Sequence, residues 1–249
     1  MRLVTYVINL ERSQDRLARI AQHLSEHGIT FEVITAVDGA ALSTEQLAQY
    51  DHVRNQHDYY KPLSKGEIGC VLSHKKALKT FLASDADVLL LLEDDACLNE
   101  HIHRVIERVM ATPSWDTIKF YSGKKAKKTL KKVNITATHS ICYPHKVPNS
   151  MLAQLVTRQG AKKMLTMYEN FYMPADVSLQ PWWQSNLNVL VCQPNIATPF
   201  ACDSEIDKLS ARKGVGYSTF KRLRQRAAFE LKRLVTRPDY TALNELKKY

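Results

Sequence analysis

The stretch Val88-Leu89-Leu90-Leu91-Leu92-Glu93-Asp94-Asp95 sets the fold class, because an unbroken aliphatic strand runs straight into three adjacent carboxylates. Five aliphatic residues without alternation predict a strand covered on both faces, as in the parallel part of an α/β sheet. Three like charges at its C-terminal tip repel one another, and a cation, a basic ligand or solvent must relieve them. In open α/β sheets ligands bind outside the carboxyl ends of the strands, so the acidic tip falls where a site is expected. The plainer reading of a bare Glu-Asp-Asp is a solvated, acid-rich loop.

Working outward, Leu3 to Ile8 predicts a first strand, Ser13 caps a helix to about His27 with Gly28 as its stop, and Phe31 to Ala36 predicts a second strand. This is the β-α-β opening of an α/β sheet. Ser43-Thr44-Glu45-Gln46 and Ser64-Lys65-Gly66-Glu67 both fit a capping box, and the second opens a helix to about Leu82 that leads into the acidic strand. A helix near Asn99 to Met110, a strand near Thr117 to Tyr121 and a strand near Asn134 to Cys142 follow, with a lysine block (Lys124, Lys125, Lys127, Lys128, Lys131, Lys132) between the two strands. Prolines then break the chain into short pieces. Phe220, Leu223, Ala227, Leu231 and Leu234 recur every three or four residues among Lys and Arg, and Pro238 ends the run. Such a basic amphipathic helix lies on anionic membranes or docks on its own protein's body.

With 249 residues, 45% of them apolar, the chain can bury a sizeable core. No run approaches the ~18 apolar residues of a membrane span, and Met1-Arg2-Leu3-Val4-Thr5-Tyr6 shows no signal-peptide pattern, so a cytoplasmic location is expected. Five scattered cysteines without a C-x-x-C pair argue against a disulfide framework or a zinc site. The formal charge is +10, and Arg212 to Tyr249 carries eleven Lys/Arg against three Asp/Glu, which is most of it. Basic segments on a near-neutral body point to a polyanion: nucleic acid, an anionic membrane or a phosphorylated substrate. G-x-G-x-x-G, P-loop and G-x-S-x-G motifs are all missing. A carboxylate pair at a strand tip suits Mg²⁺ or Mn²⁺ shared with substrate phosphates, and so suggests a nucleotide-sugar site.

Several segments, in order, resemble glycosyltransferase family 25, the bacterial lipooligosaccharide galactosyltransferases and their collagen-modifying relatives. They are Val7-Ile8-Asn9-Leu10-Glu11-Arg12 with Asp15-Arg16, Ala36-Val37-Asp38-Gly39, Gly66-Glu67-Ile68-Gly69-Cys70 with Leu72-Ser73-His74, and Leu92-Glu93-Asp94-Asp95. Weaker echoes are Thr157-Arg158-Gln159-Gly160-Ala161, Met173-Pro174-Ala175-Asp176 and Cys202-Asp203-Ser204-Glu205-Ile206. Four ordered motifs at consistent positions are far more specific than any one alone.

The resemblance implies a GT-A-like α/β domain over residues 1–210, with a mixed, mainly parallel central sheet flanked by helices, and a basic helical tail over 211–249. It implies an inverting transfer of a hexose, most often galactose, from a UDP-sugar with Mn²⁺ or Mg²⁺. Asp95 is the first metal ligand on this reading, with Asp94 beside it and Glu93 or Asp94 near the ribose or bridging through water. Asn9, Arg12 and Arg16 would hold uracil, ribose or phosphate, and Ala36, Asp38, Gly39, Glu67, Ser73 and His74 would complete the donor pocket, although Arg16 also reads as a surface residue, Glu67 as a capping group, and Ser73 and His74 as residues that pack and hydrogen-bond within their helix. Inverting transfer needs a base. Asp176, beside Trp182 and Trp183, is the leading candidate, although it reads equally as the cap of a short helix through Leu179 with the tryptophans as core; Asp203 and Glu205 are alternatives, either as base or as a second metal-side carboxylate. The implied acceptor is the core of lipooligosaccharide or lipopolysaccharide, with the chain at the cytoplasmic face of the inner membrane and its basic tail on anionic lipid. The rival reading is a nucleic-acid-binding α/β protein that uses the lysine block and terminal helix; it lacks interleaved aromatics, and no nucleic acid is expected as a partner. An idle family member acting as an assembly partner is disfavoured by the intact acidic triplet.

Overall fold

The computed structural model describes residues 1–200, 219–236 and 238–248. The aliphatic run forms β3 (Val88–Glu93), whose first five residues are fully buried, and it lies inside an eight-stranded sheet of order β2-β1-β3-β8-β5-β9-β7-β6. Its neighbours are β1 (Leu3–Asn9), parallel, and β8 (Ala153–Thr157), antiparallel. β2 (Glu32–Thr35) extends the parallel half beyond β1. On the other side β5 (Thr117–Lys119) and β9 (Val189–Gln193) pair in parallel, and β7 (Ser140–Pro144) and β6 (Thr129–Asn134) close the edge antiparallel. Following these pairings, only β8 and β7 oppose the common direction, giving the mixed, mainly parallel sheet that was expected.

The opening β-α-β is as read. α1 (Gln14–Glu26) buries Ile20 and Leu24 and stops at Gly28, whose φ of 63° is the left-handed conformation that glycine adopts without a Cβ penalty. Ser13 makes no side-chain cap; its carbonyl instead accepts from Asn9 Nδ2 at 3.2 Å. α2 (Thr44–Leu47) and α4 (Lys65–Ala83) both begin with the expected capping boxes, and α3 (His52–Asp58), not foreseen, lies between them. α4 ends under Arg158, whose guanidinium donates to the carbonyls of Leu82, Ser84 and Ala86 at 2.8–3.0 Å and satisfies the free end of the helix. β4 (Ala96–Leu98) pairs with β10 (Ala197–Pro199) beside α5 (Ile102–Met110).

Sequence and structure part company after Gly123. The strand expected across Asn134 to Cys142 is a hairpin of β6 and β7, turned where the Ile135 amide donates to His139 O at 3.0 Å. Lys131 and Lys132 therefore sit on the outermost strand, where charged side chains discourage edge-to-edge pairing. β8 and β9 are completely or nearly buried, and α6 (Arg158–Met167) returns across the sheet from β8. Gly160 in α6 lies so close to β5 that a Cβ there would be 2.1 Å from Asp116 O, so the Thr157-to-Ala161 echo marks a packing contact. Of the segment 211–249, residues 211–218 lie outside the described residues. α8 (Thr219–Val235) has no fully buried residue, whereas α9 (Thr241–Leu246) inserts Ala242, Leu243 and Leu246 into the core against β6 and β7. Among the described residues no helix is long and apolar enough to cross a membrane.

Candidate active site

Register places the polar residues together. Ile8 stands opposite Glu93 and Asn9 opposite Thr35, and the Ala36 amide donates to Asn9 O at 2.8 Å, so three parallel strands end level. The cleft beyond them is lined by Arg16, Ala36, Asp38, Gly39, Ser73, His74, Glu93, Asp94 and Asp95. A larger cavity, about 460 Å³, opens at the opposite ends of the strands around Asp116, Lys163 and Asn188, away from the carboxylates.

The three acidic residues divide their contacts. Asp94 is buried; Oδ2 accepts from Asn9 Nδ2 at 2.8 Å and Oδ1 pairs with Arg16 Nη2. Burial raises its pKa, while Arg16 and Asn9 pull it back. Asp95 lies 3.7 Å from the same guanidinium and lacks Asp94's close partners. Burial first, then the charge of Glu93, push its carboxyl from 3.8 up to about 6, with Arg16 opposing. Glu93 Oε1 faces His74 Nε2 at 3.3 Å. Arg12 stands at the rim, paired with Asp38, whose other oxygen accepts from the Ala40 amide at 2.8 Å.

The opposite wall is the N-terminal half of α4, pressed against the 36–39 loop. A Cβ on Gly39 would lie 2.5 Å from Lys65 O, and one on Gly69 would lie 2.6 Å from Val37 O, so both glycines are required by backbone meeting backbone. Ser73 locks the contact: its Oγ accepts from the Val37 amide at 2.8 Å and donates to Gly69 O at 2.6 Å. Glu67 is committed elsewhere. One oxygen completes the capping box at Ser64 and the other pairs with Lys61 at 2.6 Å, so it supports the wall without lining the cleft. His74 is buried, and its Nδ1 has no hydrogen-bond partner among the described residues.

Asp176 lies in the first turn of α7 (Ala175–Ser178), which packs on α4. Its pKa is raised by burial and lowered chiefly by Lys119, and Glu93 also acts on it, so this carboxylate belongs to the same electrostatic field as the strand tip. Lys119 was missed in the sequence. At the C-terminal end of β5, it is fully buried, donates to Ser150 O and lies 3.7 Å from Met151 Sδ. Burial lowers its pKa to about 8 against the opposing pull of Asp176 and Glu93. The available signal was a lysine inside the otherwise apolar-aromatic run Ile118-Lys119-Phe120-Tyr121. The tryptophans serve packing: Trp182 meets Tyr143 edge-on and Trp183 meets Phe229 of α8 at 5.2 Å. Asp203 and Glu205 lie outside the described residues.

A divalent cation fits this cleft by charge. The three carboxylates at the tip meet one guanidinium, Arg16, leaving two negative charges for a divalent ion to balance. Asp95, with the raised pKa and the freer oxygens, is the group such an ion would relieve most. A softer set, Cys70, His74 and Glu93, has donor atoms within 4.8 Å of one another, but burial holds the Cys70 thiol protonated and Mg²⁺ or Mn²⁺ favours the oxygens.

Comparison with known proteins adds to this geometry. A family model described as glycosyltransferase family 25 (LPS biosynthesis protein) matches residues 3–179. Procollagen galactosyltransferase 2 of Mus musculus is 34% identical over 129 residues, 48% of this chain and 20% of that protein. A glycosyltransferase 25 family member of Aedes aegypti is 30% identical over 168 residues, 64% of this chain and 27% of the relative. The inactive glycosyltransferase 25 family member 3 of Mus musculus is 26% identical over 228 residues, covering 82% and 38%. The chain thus spans a fifth to two fifths of the length of these relatives. A Drosophila β1,4-galactosyltransferase 7 mutant solved with manganese, UDP-Gal and xylobiose overlays with a TM-score of 0.45 at 13% identity, covering 90% of this chain and 80% of that one, too distant to carry an argument.

Proposed function

The chain belongs to glycosyltransferase family 25, and from that premise we propose that it is an inverting, metal-dependent hexosyltransferase that moves galactose from UDP-galactose to the oligosaccharide of lipooligosaccharide. The observation that carries the reading is the strand tip: Glu93, Asp94 and Asp95 at the mouth of a cleft, with Asp94 anchored by Asn9 and Arg16 and Asp95 left to face a cation. Asp95 and Glu93 would hold Mn²⁺ or Mg²⁺ there, and Asp94 fixes their backbone. Bound in this place, the ion supplies Lewis-acid stabilisation of the departing diphosphate. Arg16 lies where it can share that charge. Asp38 and the Ala36-to-Gly39 backbone form the side of the cleft suited to ribose and base.

The acceptor hydroxyl attacks the anomeric carbon opposite the diphosphate; the new C–O bond forms as the bond to phosphate breaks, and the hydroxyl proton passes to Asp176. A carboxylate whose pKa is raised by burial is a stronger base than one in water, and the charge of Lys119 opposes that rise. An acceptor of this kind is anchored in lipid, which puts the chain at the cytoplasmic face of the inner membrane. The test is turnover of UDP-galactose, UDP-glucose and UDP-N-acetylhexosamines with Mn²⁺ or chelator. Metal-dependent release of UDP from one donor is expected, with a loss on the order of 100-fold or more in Asp95→Ala. Full activity in chelator, or in a folded Asp95→Ala chain, sinks the assignment.

A further inference from the structure

α8 shows its apolar side to solvent and its polar side to the protein. Phe220, Leu223, Leu231 and Leu234, one stripe at helical spacing, are 76%, 68%, 67% and 71% exposed. Contact with the body runs through another face: Lys221 Nζ donates to Gln56 O at 2.6 Å, Gln225 donates to Asp58 O, and Phe229 packs on Trp183. An amphipathic helix docked for its own stability buries the opposite side.

The two basic regions, remote in sequence, also meet. Lys146, just past β7, has its ammonium 5.2 Å from the centre of the Phe229 ring. Burial lowers its pKa, and Arg226 and Arg233 of α8 and Lys127 of the lysine block add to that, with Glu230 opposing. The helix itself carries six Lys/Arg against one Glu. The helix thus carries four exposed large hydrophobes together with exposed Arg222, Arg224, Arg226 and Lys232, and Lys146, with Lys127 near it, lies toward the Phe229 side.

We infer that α8, together with Lys127 and Lys146, is a docking surface for an anionic phospholipid bilayer, with the Phe220, Leu223, Leu231 and Leu234 stripe entering the boundary between headgroups and acyl chains. Charge complementarity selects the phosphates, and the apolar stripe selects lipid over nucleic acid, whose backbone offers nothing for leucines to enter. The helix also reaches the segment next to the cleft wall, where a lipid-borne acceptor would be met. Arg222 lies over Tyr60 at 5.6 Å, in the loop whose Lys61 pairs with Glu67 at the start of the cleft wall. That last link, to a lipid-borne acceptor, rests on the transferase reading; the docking does not.

The test is flotation of the full chain with vesicles of phosphatidylglycerol and phosphatidylethanolamine, against vesicles of phosphatidylcholine alone, at about 0.1 M salt. The wild type is expected to float with the anionic vesicles, to be released as salt rises, and to ignore the neutral ones. Leu231→Ser/Leu234→Ser is expected to lower binding roughly ten-fold or more, and Lys127→Glu/Arg226→Glu to remove its salt dependence, with UDP release in solution and the thermal midpoint unchanged in both. Equal flotation on neutral lipid, full binding by the Leu→Ser variant, or a salt-sensitive shift of duplex DNA without flotation overturns the inference. Flotation without any UDP-sugar turnover instead removes the transferase reading and leaves the docking surface standing.

Discussion

Asp95 carries a carboxyl whose ionisation costs the fold. Its pKa of about 6, against an ordinary 3.8, means that the folded chain binds this proton more tightly than the unfolded one. Stability then falls as pH climbs between those two values and stays low above them, by at most about 3 kcal/mol. Asp95→Asn is therefore expected to resist urea better than the wild type at neutral pH in chelator, with the gap closing toward pH ~4. Mn²⁺ should raise the wild type and leave the variant alone. Urea melts at the two pH values check this, and a less stable Asn variant at neutral pH contradicts it. Lys119, buried and outside the residues that line the cleft, acts on Asp176. Removing its charge in Lys119→Met lets burial raise the Asp176 pKa further, so the acid limb of the kcat/KM profile is expected to move to higher pH. A purely structural Lys119 would lower activity without moving that limb.

The contact between α4 and the 36–39 loop shapes the cleft, and it depends on two glycines. Gly69→Ala places a methyl group 2.6 Å from Val37 O, where only backbone can yield, so a loss of about 1–3 kcal/mol and a higher KM for the donor are expected. A thermal midpoint and donor KM equal to wild type would show that the wall is softer than its packing indicates. Elements like these were legible in the sequence because their signals are local: β3 by its aliphatic run, α4 by Ser64 and Glu67, α1 by Gly28. The glycines were visible as motif letters, but their reason lies in remote neighbours, Lys65 for Gly39 and Val37 for Gly69. β8 escaped notice because Ala153-Gln154-Leu155-Val156-Thr157 is short and its partners, β3 and β5, come from other parts of the chain. The hairpin of β6 and β7 was hidden by lysines that read as a charged loop. Lys119 stood out only as a lysine in an apolar-aromatic run, and its burial depends on the remote Ser150–Met151 segment that meets its ammonium.

Across the whole molecule, charge is separated. An acidic cleft at the ends of β1, β2 and β3 coexists with a net charge of +10, and the basic groups gather on α8, Lys146 and the lysine block. A mainly basic chain thus keeps a local site for a cation, and its anionic ligands reach two different places: a diphosphate at the strand tip and lipid phosphates at the helix. The strand tip bears the central claim, and calorimetric titration of UDP into the protein with Mn²⁺ and with chelator, for wild type and Asp95→Asn, tests it most directly. Wild-type affinity is expected to be at least roughly ten-fold tighter with Mn²⁺ than in chelator, and that gain is expected to vanish in Asp95→Asn. Binding of equal strength in chelator, or an undiminished Mn²⁺ effect in the variant, would contradict it.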